Sequence, residues 1–222
     1  VSASSARAGI VVCVEGPSAV GKTTLARALA EAAGAAVVPE LDARDAPPAA
    51  ASAAWFVDGH AAQWRAARAL AREAPFAVLD GDPFKGLWYH AVFADEGWPG
   101  ADATGPLYAA HLAAGTLGVP TLYVALDASE AELRARRAGD ATRTRRNFEA
   151  NLRLVAPLRR WFDALAAAAP ERVLRPDTGA RDALVDAVRD RVATLPVDAP
   201  DPTRDAALLA RMLTWAEALR AG

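Results

Sequence analysis

The sequence predicts a three-layer α/β/α fold around a five-stranded parallel sheet. Five short apolar runs, at 10–14, 36–39, 76–80, 121–126 and 172–174, alternate with longer segments of helical period. Strands and helices in alternation assemble as βαβ units, which cover both faces of a parallel sheet. The length, 222 residues, suits one such domain with a sizeable core. A glycine-bearing turn also joins the first run directly to the first helical segment.

The first run, IVVCV, is unbroken, apolar and largely β-branched, as a strand buried on both faces reads. A helix over 23–33 follows, and the second run ends at Glu40. Residues 42–51, with Pro47 and Pro48, read as a loop. A helix over 52–73 leads to the third run, which ends on Asp80. Helices are then expected at 107–114, 129–138, 147–168 and 182–193. A linker at 197–203, marked by Pro200 and Pro202, separates off a last helix at 205–220. Residues 1–196 are thus expected to form the catalytic domain, with an arginine-rich lid near 134–147. Residues 197–222 would form a linker and a helix whose stripe of Leu208, Leu209, Met212, Trp215 and Leu219 packs on the domain or on a partner, possible as a homodimer contact.

Hydrophobic residues make up 53% of the chain, many of them alanine, which favours helices over large core volume. A net charge of -2 and a pI near 6.0 supply no global basic field, so neither nucleic acid nor an anionic membrane surface is an expected partner. No apolar stretch approaches the roughly 18 residues of a membrane span. The opening VSASSARAG lacks an apolar signal-like block and reads as a ragged start. Cys13 has no second cysteine to pair with and reads as a small buried hydrophobe. A soluble, cytoplasmic protein is expected.

Residues 16–24 read GPSAVGKTT. A strand, a glycine-bearing turn and a helix in this order let consecutive backbone N–H groups curl round phosphate oxygens, with the helix N-terminus facing the same anion. This is the pattern of a P-loop. Gly16, Ser18, Ala19, Val20, Gly21, Lys22, Thr23 and Thr24 are therefore the expected binding residues for ATP. Lys22 would neutralise the β and γ phosphates, and the Thr23 hydroxyl would ligate Mg²⁺. Of 25 basic residues only Lys22 and Lys85 are lysine, so a lysine in this slot carries weight.

The third run delivers Asp80 to the carboxyl edge of the sheet, where doubly wound folds bind ligands. Asp80 is placed to hold the Mg²⁺, directly or through water, with Asp82 the competing candidate. Glu40 ends the second run at the same edge and could accept the proton of an attacking hydroxyl. Arg134, Arg136, Arg137, Arg143, Arg145 and Arg146 crowd a stretch interrupted at Gly139. Such density reads as a lid that closes on the transferring phosphoryl group, with Arg137 and Arg143 as candidate catalytic arginines. The aromatics Trp55, Phe56, Trp64, Trp88 and Tyr89 either line an acceptor pocket or pack in the core. His60, His90 and His111 show no metal-ligand spacing and are assigned to packing or surface.

These residues resemble the thymidylate kinase and deoxynucleoside kinase group of the P-loop nucleoside and nucleotide kinase superfamily. EGPSAVGKTTLARALA looks like the group's opening, VVPE like its second-strand motif, and LRARR with the GDATR break like its arginine lid. The resemblance implies that Glu40 is the base, that Gln63 contacts the substrate and that Arg134 lies near the adenine. It also implies a P-loop kinase fold using ATP and Mg²⁺. After the third strand the group has an acidic residue followed by arginine, whereas this chain reads DGDPFK; Lys85 is the candidate replacement charge. The pattern is also similar to the chloramphenicol-type phosphotransferases, which place a small acceptor in the same crevice.

The expected activity is transfer of the γ-phosphoryl group of ATP to a hydroxyl or phosphate of a small molecule such as a nucleoside or nucleotide. Antibiotic phosphorylation and a nucleotide-dependent regulatory switch are the alternatives. The acceptor pocket is expected to draw on Glu40, Trp55, Phe56, Gln63, Asp82, Lys85, Trp88 and Tyr89.

Overall fold

The computed structural model describes residues 9–42, 46–139, 147–177, 179–196 and 201–221. Five strands, β1 (Val11–Glu15), β2 (Ala36–Val38), β3 (Ala77–Asp80), β4 (Leu122–Ala125) and β5 (Val173–Leu174), form one sheet in the order β2-β3-β1-β4-β5. Every pairing is parallel. All five expected strands are present. β1 is buried along its whole length, with side chains alternating between two cores.

Val12 and Val14 face α1 (Lys22–Ala33) and α8 (Arg181–Thr194) on one side of the sheet. Val11 and Cys13 face the other side, where α2 (Ala53–Leu70), α3 (Lys85–Val92), α4 (Ala101–Ala113), α7 (Val155–Ala168) and α9 (Pro202–Ala221) collect. Cys13 is buried and free, and that burial pushes its thiol pKa well above the usual value. The remaining helices, α5 (Glu130–Gly139) and α6 (Phe148–Asn151), flank the arginine-rich stretch, of which residues 140–146 lie outside the described ones.

Three helical segments differ from expectation. The segment beyond β3 forms α3, although Gly86 and a run of apolar and aromatic residues hide any polar face; burial under α9 organises it instead. α4 starts at Ala101 and carries Pro106 inside, near enough to its N-terminus that the missing N–H costs one bond and not the helix. Its Gly105 lets the Leu213 side chain of α9 approach closely; a Cβ there would stand 2.9 Å from Leu213 Cδ2. The expected helix over 147–168 is interrupted by a 3-10 turn at Leu152–Leu154.

α9 packs on α3, α4 and α7 of its own chain, burying Leu208, Leu209 and Met212. Trp215 meets Trp161 edge-on at 5.8 Å. Near its start, Asp205 is buried: Oδ2 accepts the Val119 amide at 3.0 Å, and Oδ1 lies 3.1 Å from Arg172 Nη2. A helix held this way braces α3, and α3 carries Lys85, Trp88 and Tyr89. Among the described residues no helix is long and apolar enough to cross a membrane.

Candidate active site

Sheet register gathers the site at one edge. Val14 pairs with Asp80 across β1 and β3, and Glu15 pairs with Ala125 across β1 and β4. The glycine-bearing turn, Asp80 and the segment after β4 therefore emerge together. Gly16 has φ +158°, and a Cβ there would overlap the Leu126 carbonyl oxygen. Gly21 has φ +112° in open space, so conformation and not crowding selects glycine. Ala19 also takes a positive φ, 71°, which costs a residue with a Cβ about 1–2 kcal/mol.

α1 begins at Lys22 with neither a side-chain cap nor an acidic residue in its first turn. The first-turn amides have no intrahelical partners, and the positive end of the helix dipole lies beside them. A cavity of about 470 Å³ opens over this cradle, lined by Gly16, Ser18, Ala19, Gly21, Lys22, Thr23 and Thr24. Val20 turns inward instead: it is buried against the core, and its amide donates to the Pro17 carbonyl at 3.2 Å. Arg27, Glu31 and Arg181 also border the cavity, a set that no sequence motif singles out.

Lys22 Nζ donates to the Gly16 carbonyl at 2.6 Å and lies 3.5 Å from the buried Glu15 carboxylate. Glu15 was not singled out in the sequence, yet it ties the turn together. Its Oε1 accepts the Gly16 amide at 2.7 Å, and its Oε2 accepts the Asp82 amide at 2.9 Å. Asp82 itself faces inward, 1% exposed, and lines neither cavity of the site. It accepts bonds from the Phe84 amide, the Trp88 indole and the Tyr123 hydroxyl. Burial pushes its pKa up to about 7 against the pull of the Phe84 amide. The structure thus gives Asp82 an anchoring position under α3, outside the lining of both cavities.

Asp80 is 5% exposed, and the Thr23 hydroxyl hydrogen-bonds its carboxylate. Burial raises its pKa, with Thr23 opposing and the Glu40 charge adding to the rise. Its Oδ1 is buried and finds no hydrogen-bond partner among the described residues. An orphaned buried carboxylate oxygen beside the Thr23 hydroxyl suits a divalent cation, or the water shell of one, brought in with a nucleotide. Among the described residues no group of three or more His, Cys, Asp or Glu side chains could hold a metal ion by itself.

Glu40 meets Lys85 Nζ at 2.5 Å. Burial would raise the Glu40 pKa, but the charges of Lys85 and Lys22 outweigh it and bring the value down to about 2. For Lys85, burial works against the charge, and the Glu40 carboxylate reverses that effect and raises the pKa. The first turn of α3 delivers Lys85 to this edge of the sheet, beside Glu40.

A second cavity, of about 300 Å³, adjoins the cradle and shares Glu40, Lys85, Tyr89 and Asn151 with it. Phe56, His60, His90 and Trp98 complete its ring-bearing wall. His60 and His90 are therefore cavity residues as well as packing residues, while His111 bonds Asp58 and Thr116 elsewhere. Trp88 borders the cradle but is buried, its indole committed to Asp82. Trp55 packs edge-on against Phe56 at 4.8 Å and lines neither cavity. Trp64 is buried in the core. The Gln63 amide donates to the Pro39 carbonyl at 2.5 Å and also lines neither cavity.

The arginines divide differently from expectation. Arg134 and Arg137, one turn apart on α5, both pair with Glu149 on α6, and Arg137 lies over the Phe148 ring at 4.7 Å. Neither lines the cradle. Arg136 is the one of the three that reaches the phosphate-binding turn, donating to the Val20 carbonyl at 2.9 Å. Arg143, Arg145 and Arg146 lie outside the described residues.

A parallel 2-3-1-4-5 sheet with an uncapped glycine turn after its central strand defines a P-loop nucleotide-binding fold. No family model matches the chain, and no curated protein matches it in sequence. Among solved structures the chain is similar to deoxyadenosine kinase from M. mycoides with bound dATP, at TM-score 0.60 and 9% identity, over 83% of this chain and 100% of that one. The same enzyme with dCMP and a flexible dCDP bound matches at TM-score 0.58 and 9% identity, over 84% and 100% of the two chains. Thymidylate kinase from Candida albicans matches at TM-score 0.59 and 15% identity, over 84% and 92%. The chain thus has the α/β fold of the P-loop nucleoside and nucleotide kinases.

Proposed function

We propose that the chain is an ATP-dependent kinase that transfers the γ-phosphoryl group to a hydroxyl or phosphate of a nucleoside, a nucleotide or a similar small metabolite. One observation carries the reading: the phosphate cradle and the ring-lined cavity adjoin, and Glu40 stands at their junction. A donor's phosphates and an acceptor's nucleophilic oxygen can then occupy adjoining spaces, which is what an in-line transfer requires.

The turn amides and Lys22 would hold the β and γ phosphates. Thr23 and Asp80 would hold Mg²⁺, which supplies charge neutralisation at the phosphates when bound. With a hydroxyl acceptor, oxygen attacks phosphorus, ADP leaves, and the hydroxyl proton passes to a Glu40 carboxylate oxygen. A low pKa keeps Glu40 ionised throughout the ordinary pH range. It orients the hydroxyl first and takes the proton late, once bonding to phosphorus has made that proton acidic, as a loose transition state allows.

Arg136 is the described lid arginine nearest to the turn, and Arg143 is retained as a candidate for contact with the transferring group. A screen for acceptor-dependent ADP release, followed by Glu40→Gln with the best hydroxyl acceptor, tests the reading. A fall in kcat of about tenfold or more is expected. A kcat within about threefold of wild type would remove Glu40 from the chemistry.

A further inference from the structure

The second cavity has a chemistry of its own. Five rings line it: beside His60, His90 stacks on Trp98 at 4.9 Å and 25°, and Phe56 and Tyr89 stand 5.6 Å and 5.4 Å from Trp98. Its only charged lining groups among the described residues are Glu40 and Lys85, which neutralise one another at 2.5 Å. Burial moves the His60 pKa down to about 3 and that of His90 down to about 4, so both imidazoles are neutral at physiological pH. Gln63, which would otherwise offer a carboxamide from α2, is bonded to Pro39 and lines neither cavity.

We infer that this cavity takes an uncharged, planar-ring alcohol as acceptor and discriminates against the corresponding monophosphate. The inference rests on the phosphoryl-transfer reading and chooses between the hydroxyl and phosphate acceptors it leaves open. A monophosphate brings close to two negative charges at neutral pH. To be held here it must detach Lys85 from Glu40 and then lie against the Glu40 carboxylate in a ring-walled space. An uncharged ring is held by stacking and edge contacts and disturbs neither partner. The hydroxyl it carries meets Glu40 as a hydrogen-bond donor meets an acceptor. A volume of about 300 Å³ admits one fragment-sized molecule.

The test is direct binding by the full chain, with the phosphate cradle first saturated with ADP so that no monophosphate binds there. Matched pairs are titrated against tryptophan fluorescence: thymidine and its 5′-monophosphate, adenosine and its 5′-monophosphate, and 2-phenylethanol and 2-phenylethyl phosphate. At least one alcohol is expected to bind about tenfold or more tighter than its phosphate partner. In Trp98→Ala, followed by calorimetry, its affinity should fall about fivefold or more, with ADP affinity serving as the control for folding. A monophosphate that binds as tightly as its alcohol, or the absence of binding by every alcohol, would overturn the inference. ADP release measured on the same pairs separates the two levels. Release driven by a monophosphate alone sinks the inference and leaves transfer standing. An alcohol that binds without ever supporting release sinks the transfer reading and leaves the preference for uncharged rings intact.

Discussion

Lys85→Met removes the cation that holds Glu40 ionised while keeping most of the side-chain volume. Two unit charges about 4 Å apart interact by about 4 kcal/mol at an effective dielectric near 20, equivalent to about three pKa units. Glu40 is 47% exposed on its side chain, so solvent screening reduces the effect to about one or two units. The Glu40 pKa is therefore expected to climb from about 2 to about 3–4. If ionised Glu40 is the form that supports transfer, the acid limb of the rate profile should move up from about pH 2 to about pH 3–4 in the variant. Carboxyl-carbon NMR titration of Glu40 reads the same shift without any acceptor. The stability sign follows: a depressed carboxylate pKa contributes stability above the unfolded value near 4.5, and this is lost as pH falls through about 2. For a half-exposed pair that contribution is about 0.2–1 kcal/mol at pH 7. An unchanged Glu40 titration in Lys85→Met would refute the claim that this pair sets the charge state of the site.

Other consequences are equally specific. Gly16→Ala forces a Cβ against the Leu126 carbonyl; a loss of about 1–3 kcal/mol in chemical denaturation is expected, with weaker ADP binding by calorimetry. Arg172→Met strips the buried Asp205 of its charge partner and should cost about 3–5 kcal/mol by urea unfolding at pH 7. Much of that loss should be recovered at low pH, because burial already favours protonated Asp205; an equal loss at pH 4 and pH 7 would show that the pair is not electrostatic.

The strands and the phosphate-binding turn were legible because their signals are local. An unbroken, largely β-branched run can only be a buried strand here, and the glycines of residues 16–24 answer to φ values and a close approach that belong to the turn itself. Glu40 and Lys85 could be named singly, but their 2.5 Å pairing arises from β2 and α3 meeting across the sheet edge. α3 escaped detection since its helical state depends on burial under α9, more than a hundred residues away. The arginine stretch was legible as a cluster and not residue by residue: which guanidinium reaches the turn depends on helix phase and on Glu149, which captures Arg134 and Arg137. Asp82 was misleading because an acidic residue after a strand reads as solvent-facing, whereas the Trp88 and Tyr123 donors that hold it inside lie on separate elements. His60 and His90 carry no spacing signal and become cavity residues only when α2 and α3 pack side by side.

Acceptor-dependent release of ADP from ATP, compared between the wild type and Lys22→Ala, tests the central claim most directly. The account predicts release that rises with an acceptor in the wild type and falls about a hundredfold or more in the variant, while far-UV circular dichroism shows the variant folded at the assay temperature. Release that is independent of every acceptor, or undiminished without Lys22, would contradict it.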